Sequence, residues 1–282
     1  MQKVKEGIMH ALFLICACVS ILAVVLICVY LFSTGIPAMS EIGVTDFLFG
    51  TKWKPSSGYY GIFPMIIGSI LVTGIAIAIG VPIGILCAVF MSHYCPKKLY
   101  AFVKPAINLL AGIPSIVFGF FGLMVIVPIM KDLFGGSGKS LLTAGVLLGI
   151  MILPTVIKTT ESSLNAVPRS YYEGALALGA THERSVFFAS LPAAKSGILA
   201  AIILGVGRAI GETMAVILVA GNQTVIPKSI TSGVRTMTSN IVMEMGYAGG
   251  LHRGALIATG VVLFVFILII NLCFSALKRR KD

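Results

Sequence analysis

Six stretches of this chain, at about residues 10–32, 63–91, 106–130, 141–157, 197–220 and 255–277, are apolar for close to twenty residues or more. A helix needs roughly 20 apolar residues to cross a hydrocarbon core about 30 Å thick. Within that core the backbone must satisfy its own hydrogen bonds, so such stretches specify helices. Composition agrees: 57% of residues are hydrophobic and 11% charged, against about 25% charged in an ordinary soluble domain. The expected fold class is an all-α, polytopic membrane protein with six transmembrane helices. The first stretch follows Lys3 and Lys5. It is longer than the apolar core of a signal peptide and precedes no convincing small-residue cleavage site, so it is expected to remain as a span. Gly80-Val81-Pro82-Ile83-Gly84 is the expected place for a kink in the second stretch, and Pro154 is expected to break the fourth.

The net charge of +11 does not point to nucleic acid, because the basic residues sit in short clusters beside the apolar stretches. Counted on alternate sides, thirteen Lys and Arg fall on the side of the N-terminus and seven on the other, with Arg208 inside the fifth stretch. Positive residues favour the cytoplasmic side, so both termini are expected there. The six cysteines imply neither a disulfide framework nor a metal site, since Cys16, Cys18, Cys28, Cys87 and Cys273 lie within apolar stretches and Cys95 flanks one. Two segments on the outer side are long enough to have structure. Residues 33–61 contain Trp53, Tyr59 and Tyr60, rings suited to a membrane interface. Residues 221–254 contain a run at 230–245 too polar to span easily, with Arg235, Asn240 and Glu244, and it is expected to be interfacial or re-entrant.

Between the fourth and fifth stretches, on the cytoplasmic side, lies Pro168-Arg169-Ser170-Tyr171-Tyr172-Glu173-Gly174-Ala175-Leu176-Ala177-Leu178-Gly179-Ala180-Thr181. Pro168 ends any preceding helix, and Ser170 with Glu173 has the form of a capping box. A short helix is expected from about Tyr171 to Gly179, where a left-handed residue can close it, with Thr181 starting a second. Gly174, Ala175, Ala177 and Gly179 leave the elbow so little bulk that another protein could approach its backbone closely. Glu173, Gly174, Ala175, Gly179 and Leu191-Pro192 stand at the spacing of the docking loop of ABC importer permeases, and the chain resembles that family. The family pattern has alanine where Gly174 stands and isoleucine where Ala189 stands. The resemblance implies that this elbow inserts into a groove of a separate ATP-hydrolysing subunit.

Gly138-Lys139-Ser140 is not a phosphate-binding loop, because position 133 is Leu133 instead of glycine and no strand precedes it. Energy must come from another subunit or a gradient. Arg208 and Glu212 lie in the fifth stretch, where an arginine costs about 2.5–3.5 kcal/mol to insert. Four residues apart on a helix, they share a face and can pair. Either they form a permanent ion pair that locks helix packing, or Arg208 faces a pathway and meets an anion that competes with Glu212, for which a guanidinium is well shaped. In the third stretch, Asn108 to Ser115 carries Gly112 and Pro114. These are either kink and packing residues or a break that lets backbone line a cavity. The four histidines are far apart and are assigned no role. No Ser/His or His/Glu metal constellation that would suit an intramembrane enzyme falls within a stretch.

Gly205 to Ala215, Ala111 to Gly119 and the elbow together resemble the phosphate ABC importer permeases, and Trp53-Lys54-Pro55 followed by Tyr60-Gly61-Ile62-Phe63-Pro64 resembles their PstC branch. The resemblance implies the type I ABC importer permease (MetI-like) fold: residues 1–62 as an N-terminal transmembrane helix plus outer segment, and 63–278 as the permease domain with a coupling loop at 168–192. It implies a bacterial plasma-membrane subunit without catalytic residues or cofactor of its own, ATP being bound by the partner ATPase. The implied partners are a PstA-like permease, two PstB-like ATPases, an external PstS-like phosphate-binding protein and membrane lipid. Arg208, Glu212, Thr213 and Ser115 are the expected pathway residues. The rival readings are a permease for molybdate, sulfate or phosphonate, and a gradient-driven anion carrier, which would need no docking elbow.

Overall fold

In the computed structural model, which describes residues 2–279, the chain is helical apart from loops and one two-residue ribbon. Arg280 and Lys281, counted above for orientation, lie outside the described residues. Five helices are long and apolar enough to cross a membrane: Met9–Ile42, Phe63–Tyr94, Ser115–Phe134, Leu141–Asn165 and Gly250–Cys273. His182–Ala193 and Lys195–Gly211, meeting at 70°, supply a bent sixth.

Helix α1 (Gln2–Ile42) continues well past the expected end of the first span, because its last turns have a partner in α14 (Gly250–Arg279). A Cβ on Gly35 would lie 2.6 Å from Val261 Cγ2, and one on Gly254 would lie 2.7 Å from Ala38 Cβ, so the two helices approach closely. Gly43, at φ +95°, separates α1 from the short α2 (Val44–Phe49). A ribbon follows, β1 (Trp53–Lys54) and β2 (Tyr59–Tyr60), paired antiparallel with Trp53 opposite Tyr60.

The centre of the molecule is α3 (Phe63–Val89) against α7 (Leu141–Asn165). Neither helix is interrupted at its proline, Pro82 or Pro154, contrary to the expected break at Pro154. The glycines on either side of Pro82 serve packing. A Cβ on Gly80 would lie 2.6 Å from Gly149 O, and one on Gly84 would lie 2.7 Å from Val156 Cγ1. Helix α11 (Lys195–Gly211) lies over both, with Gly205 close to Val156. This packing, not propensity, carries the prolines through.

The third span is displaced. Helix α4 (Lys97–Gly112) stops where Ile113 and Pro114 turn extended, at ψ 127° and 142°. Proline disfavours helical geometry in the residue before it, which accounts for the break. The crossing proper is α5 (Ser115–Phe121), a π-helical turn over Gly122–Ile126, and α6 (Val127–Phe134). The expected fifth span is also divided, into α11 and α12 (Met214–Val219), at Glu212 and Thr213.

The two ends of α7 define two ends of the molecule. At its start, Ser140 N–H donates to Val219 O (3.1 Å) and Leu141 N–H to Ser232 O (2.9 Å), gathering residues 219–234 there. At its finish, Asn165 accepts the Ser92 hydroxyl (2.8 Å) and the chain enters the elbow.

Two expectations for the outer segments are corrected. Trp53 is not an interfacial ring: it is 7% exposed, and its Nε1 donates to Glu244 Oε2 at 2.9 Å. The run at 230–245 does not lie on the surface but packs into the fold, Thr238 Oγ1 donating to Glu212 O at 3.2 Å. It forms α13 (Met237–Met245), whose Thr236 cap accepts the Ser239 N–H and whose first residues are buried. Its polar residues are accommodated by one another. Arg235 Nη1 lies 2.6 Å from Glu244 Oε1 and 3.0 Å from Asn240 Oδ1, and His252 Nε2 lies 2.9 Å from Glu244 Oε2. Glu244 thus ties the ribbon, α13 and α14 together. Glu244→Ala leaves the Arg235 guanidinium buried without its counter-charge, and the expected loss of about 3–5 kcal/mol is read as a lowered unfolding temperature of the detergent-solubilised protein.

Candidate functional site

The elbow starts with α8 (Arg169–Ala177), earlier than expected, because Pro168 itself takes the N-cap position with an extended ψ of 134°. Ser170 is already the second helical residue and caps nothing, so the Ser170–Glu173 capping box is not formed. The helix closes as the glycine implied. Gly179 stands at φ +84°, Gly179 N–H donates to Leu176 O (2.9 Å) and Ala180 N–H to Ala175 O (3.1 Å), the paired bonds of a Schellman end. Thr181 Oγ1 then accepts the Arg184 N–H and opens α9 (His182–Ser185), as expected. A π-helical turn, Val186–Ser190, and α10 (Leu191–Ala193) lead into α11.

The elbow has an anchored face and an open face. On the anchored face, Tyr172 and Leu191 pack with buried Val89 and Leu164 at the ends of α3 and α7 and with buried Val186 of the π-helical turn. Tyr172 Oη lies 2.6 Å from His182 Nδ1, and the His182 ring meets Tyr94 edge-on at 4.7 Å. Leu191 therefore secures the elbow, and Pro192 is exposed beside it. On the open face, Glu173, Gly174 and Gly179 are exposed, Ala175 is half-buried, and a Cβ on Gly174 or Gly179 would meet nothing within 4 Å. Leu178, at 91% exposed, and Phe188, at 78%, project beside them. Leu178 lies outside the spans, whereas Phe188 falls in the His182–Ala193 part of the bent sixth. Sequence reasoning missed Tyr172, His182, Leu178 and Phe188. The first two pair across ten residues that include a turn, and only a hydrophobic residue placed directly before the turn glycine signals Leu178.

Arg208 and Glu212 do not share a helix face. Helix α11 ends at Gly211, and Glu212 is extended at ψ 130°. Its carboxylate turns to the next helix, where Oε1 accepts N–H from Thr213 (3.2 Å) and Ala215 (3.3 Å) at the start of α12. Anionic oxygen at a helix N-terminus satisfies otherwise unpaired amides. The locking ion pair is thus absent among the described residues, and Arg208 is left exposed in the last turn of α11 with no acid against it.

The break in the third span stands beside that in the fifth. Helices α5 and α12 run parallel, since a Cβ on Gly119 would lie 2.7 Å from Ala215 Cα and one on Gly122 would lie 3.0 Å from Val219 Cγ1. Ser115, half-buried, is the first residue of α5, and Thr213, also half-buried, donates its hydroxyl to Gly211 O. The approach of Gly119 to Ala215 brings the first turns of α5 and α12 together, with Ser115 and Thr213 at their starts and Arg208 in the last turn of α11. A guanidinium facing lipid at this depth is costly, so the Arg208 face is one that protein or water covers.

At the elbow end of the same helices, Glu161 is buried on α7 and engaged by α4. Tyr100 Oη donates to Glu161 Oε1 (2.6 Å), and Lys104 Nζ lies 2.9 Å from the same oxygen and 2.6 Å from Tyr100 Oη. The bonds to Tyr100 and Glu161 hold the Lys104 ammonium above the ordinary lysine range.

Residues 80–282 match the family model described as binding-protein-dependent transport system inner membrane component. The chain belongs to this family. The matched region includes the elbow and both helix breaks. The chain is 38% identical to the probable ABC transporter permease protein YqgH of Bacillus subtilis (strain 168), over 94% of this chain and 89% of that protein. It is 36% identical to the phosphate transport system permease protein PstC of Haemophilus influenzae, over 78% of this chain and 76% of that one. Among solved structures, the MetNI methionine ABC transporter in an inward-facing conformation matches with a TM-score of 0.65 at 19% identity, covering 82% of this chain and all of the matched chain. That likeness establishes the type I permease fold with its membrane-spanning helices.

Proposed function

We propose that this chain is a membrane-embedded permease subunit of an ATP-driven importer of inorganic phosphate, with both termini in the cytoplasm. The observation that carries the reading is Arg208, released from Glu212 by the helix break and exposed in the last turn of α11. A planar cation with several donors suits a tetrahedral oxyanion. The choice of phosphate is supported by the relatives named PstC. Arg208, Thr213 and Ser115 line the pathway, while Glu212 holds the start of α12 in place.

The chain performs no chemistry and holds no cofactor. A PstA-like permease covers the Arg208 face, two PstB-like ATPases bind and hydrolyse ATP, and a PstS-like protein delivers the anion from outside. The open face of the elbow, from Glu173 to Gly179 with Leu178 exposed, seats in one ATPase. Because Tyr172 and Leu191 tie the elbow to the ends of α3 and α7, movement of the ATPase passes directly to the helices that support α11. Residues 63–278 make up the permease proper, with α1 packed on its last helix.

The assembled complex in proteoliposomes tests the reading. Radiolabelled phosphate uptake is expected to require ATP and to persist in excess sulfate, molybdate or phosphonate. Competition by one of these reassigns the substrate, and uptake driven by an ion gradient without ATP overturns the reading.

A further inference from the structure

A cleft of about 440 Å³ opens at the elbow end between α4 and α7, lined by Lys104, Asn108, Lys158, Glu161, Ser162 and Asn165. Its one carboxylate, Glu161, is 4% exposed and already accepts from Tyr100 and Lys104. Lys104 is 41% exposed and, with two of its three N–H groups on Tyr100 and Glu161, retains one donor for the cleft. Lys158, one turn before Ser162 on α7, has no acid against it among the described residues. Two ammonium groups against one engaged carboxylate leave the cleft positive. The neutral groups are also able to donate. Asn165 Oδ1 is occupied by the Ser92 hydroxyl, which directs the Asn165 amide N–H groups elsewhere, and Asn108 and Ser162 stand one turn beyond Lys104 and Lys158. Along α4 the positions Lys104, Asn108 and Gly112 recur every four residues and lead towards the helix break at Ser115.

We infer that this cleft is a second anion site, in which Lys104 and Lys158 clasp a phosphate-class oxyanion: inorganic phosphate leaving the pathway or the headgroup of an anionic phospholipid. Basic clefts between helices at the cytoplasmic surface suit both. The free-ion source rests on the import reading above; the lipid source does not.

The test is lysine acetylation of the assembled complex in nanodiscs, read by mass spectrometry, with exposed Lys97 and Lys98 as references. Phosphate uptake is measured on the same preparation in proteoliposomes. In phosphatidylcholine discs, millimolar inorganic phosphate is expected to slow acetylation of Lys104 and Lys158 several-fold relative to the references. Protection that instead requires phosphatidylglycerol assigns the site to lipid. Lys158→Glu is expected to remove the protection of Lys104 in either case. Acetylation rates of Lys104 and Lys158 that neither inorganic phosphate nor phosphatidylglycerol changes relative to the references, in a preparation that imports phosphate, overturn the site. Protection by lipid in a preparation that imports no phosphate keeps the site and overturns the import reading.

Discussion

Gly179→Trp is expected to abolish ATP-driven uptake while the chain still inserts and joins its partners in the membrane. Nothing lies within 4 Å of the Gly179 Cβ position, so the new side chain starts from open space at the surface. It projects beside Leu178 and Glu173 from the surface proposed to enter the ATPase. The φ of +84° adds strain, because a residue with a Cβ pays roughly 1–2 kcal/mol in the left-handed region. Gly179→Ala carries that strain without the bulk and separates the two effects: it is expected to retain most transport. Uptake in proteoliposomes, together with recovery of the ATPase on affinity purification of the permease, reads both variants. Normal uptake by Gly179→Trp would remove the elbow as the coupling element.

Arg208→Ala is expected to cut phosphate uptake by about ten- to a hundredfold without dissociating the subunits. A hydrogen bond to a charged group contributes roughly 1.5–3 kcal/mol, and each 1.4 kcal/mol is about tenfold. Because Glu212 is engaged with the amides of Thr213 and Ala215, removing Arg208 leaves no stranded carboxylate and should not destabilise the fold. Arg208→Lys keeps the charge but loses the fork geometry, and an intermediate rate is expected. A normal rate in Arg208→Ala would place the substrate elsewhere.

What the sequence disclosed follows the range of the interactions involved. The spans were legible because hydrocarbon imposes length and apolarity on each helix independently. The turn at Gly179 and the Thr181 cap were legible because a few adjacent residues determine them. Arg208 and Glu212 misled because spacing of four implies contact only while the helix continues. The Glu-Thr pair following Gly211, able to cap a new helix, was the available signal for the break. Pro114 signalled the other break through its effect on Ile113. The environment of Glu244 was not legible: its partner Trp53 is 191 residues away, and Arg235 and His252 reach it only once α13 and α14 pack together. Likewise Pro154 reads as a break locally and is overridden by the close packing of α3 on α7.

The central claim, that this chain is the membrane part of an ATP-driven phosphate importer, is tested most directly by uptake of radiolabelled phosphate at micromolar concentration. The host is a bacterial strain lacking its own PstC subunit, with this chain supplied alongside its cognate partners. The account predicts restored uptake that disappears when ATP is depleted and that excess sulfate leaves unchanged. Absence of uptake, with the chain shown to be assembled in the membrane, would contradict it.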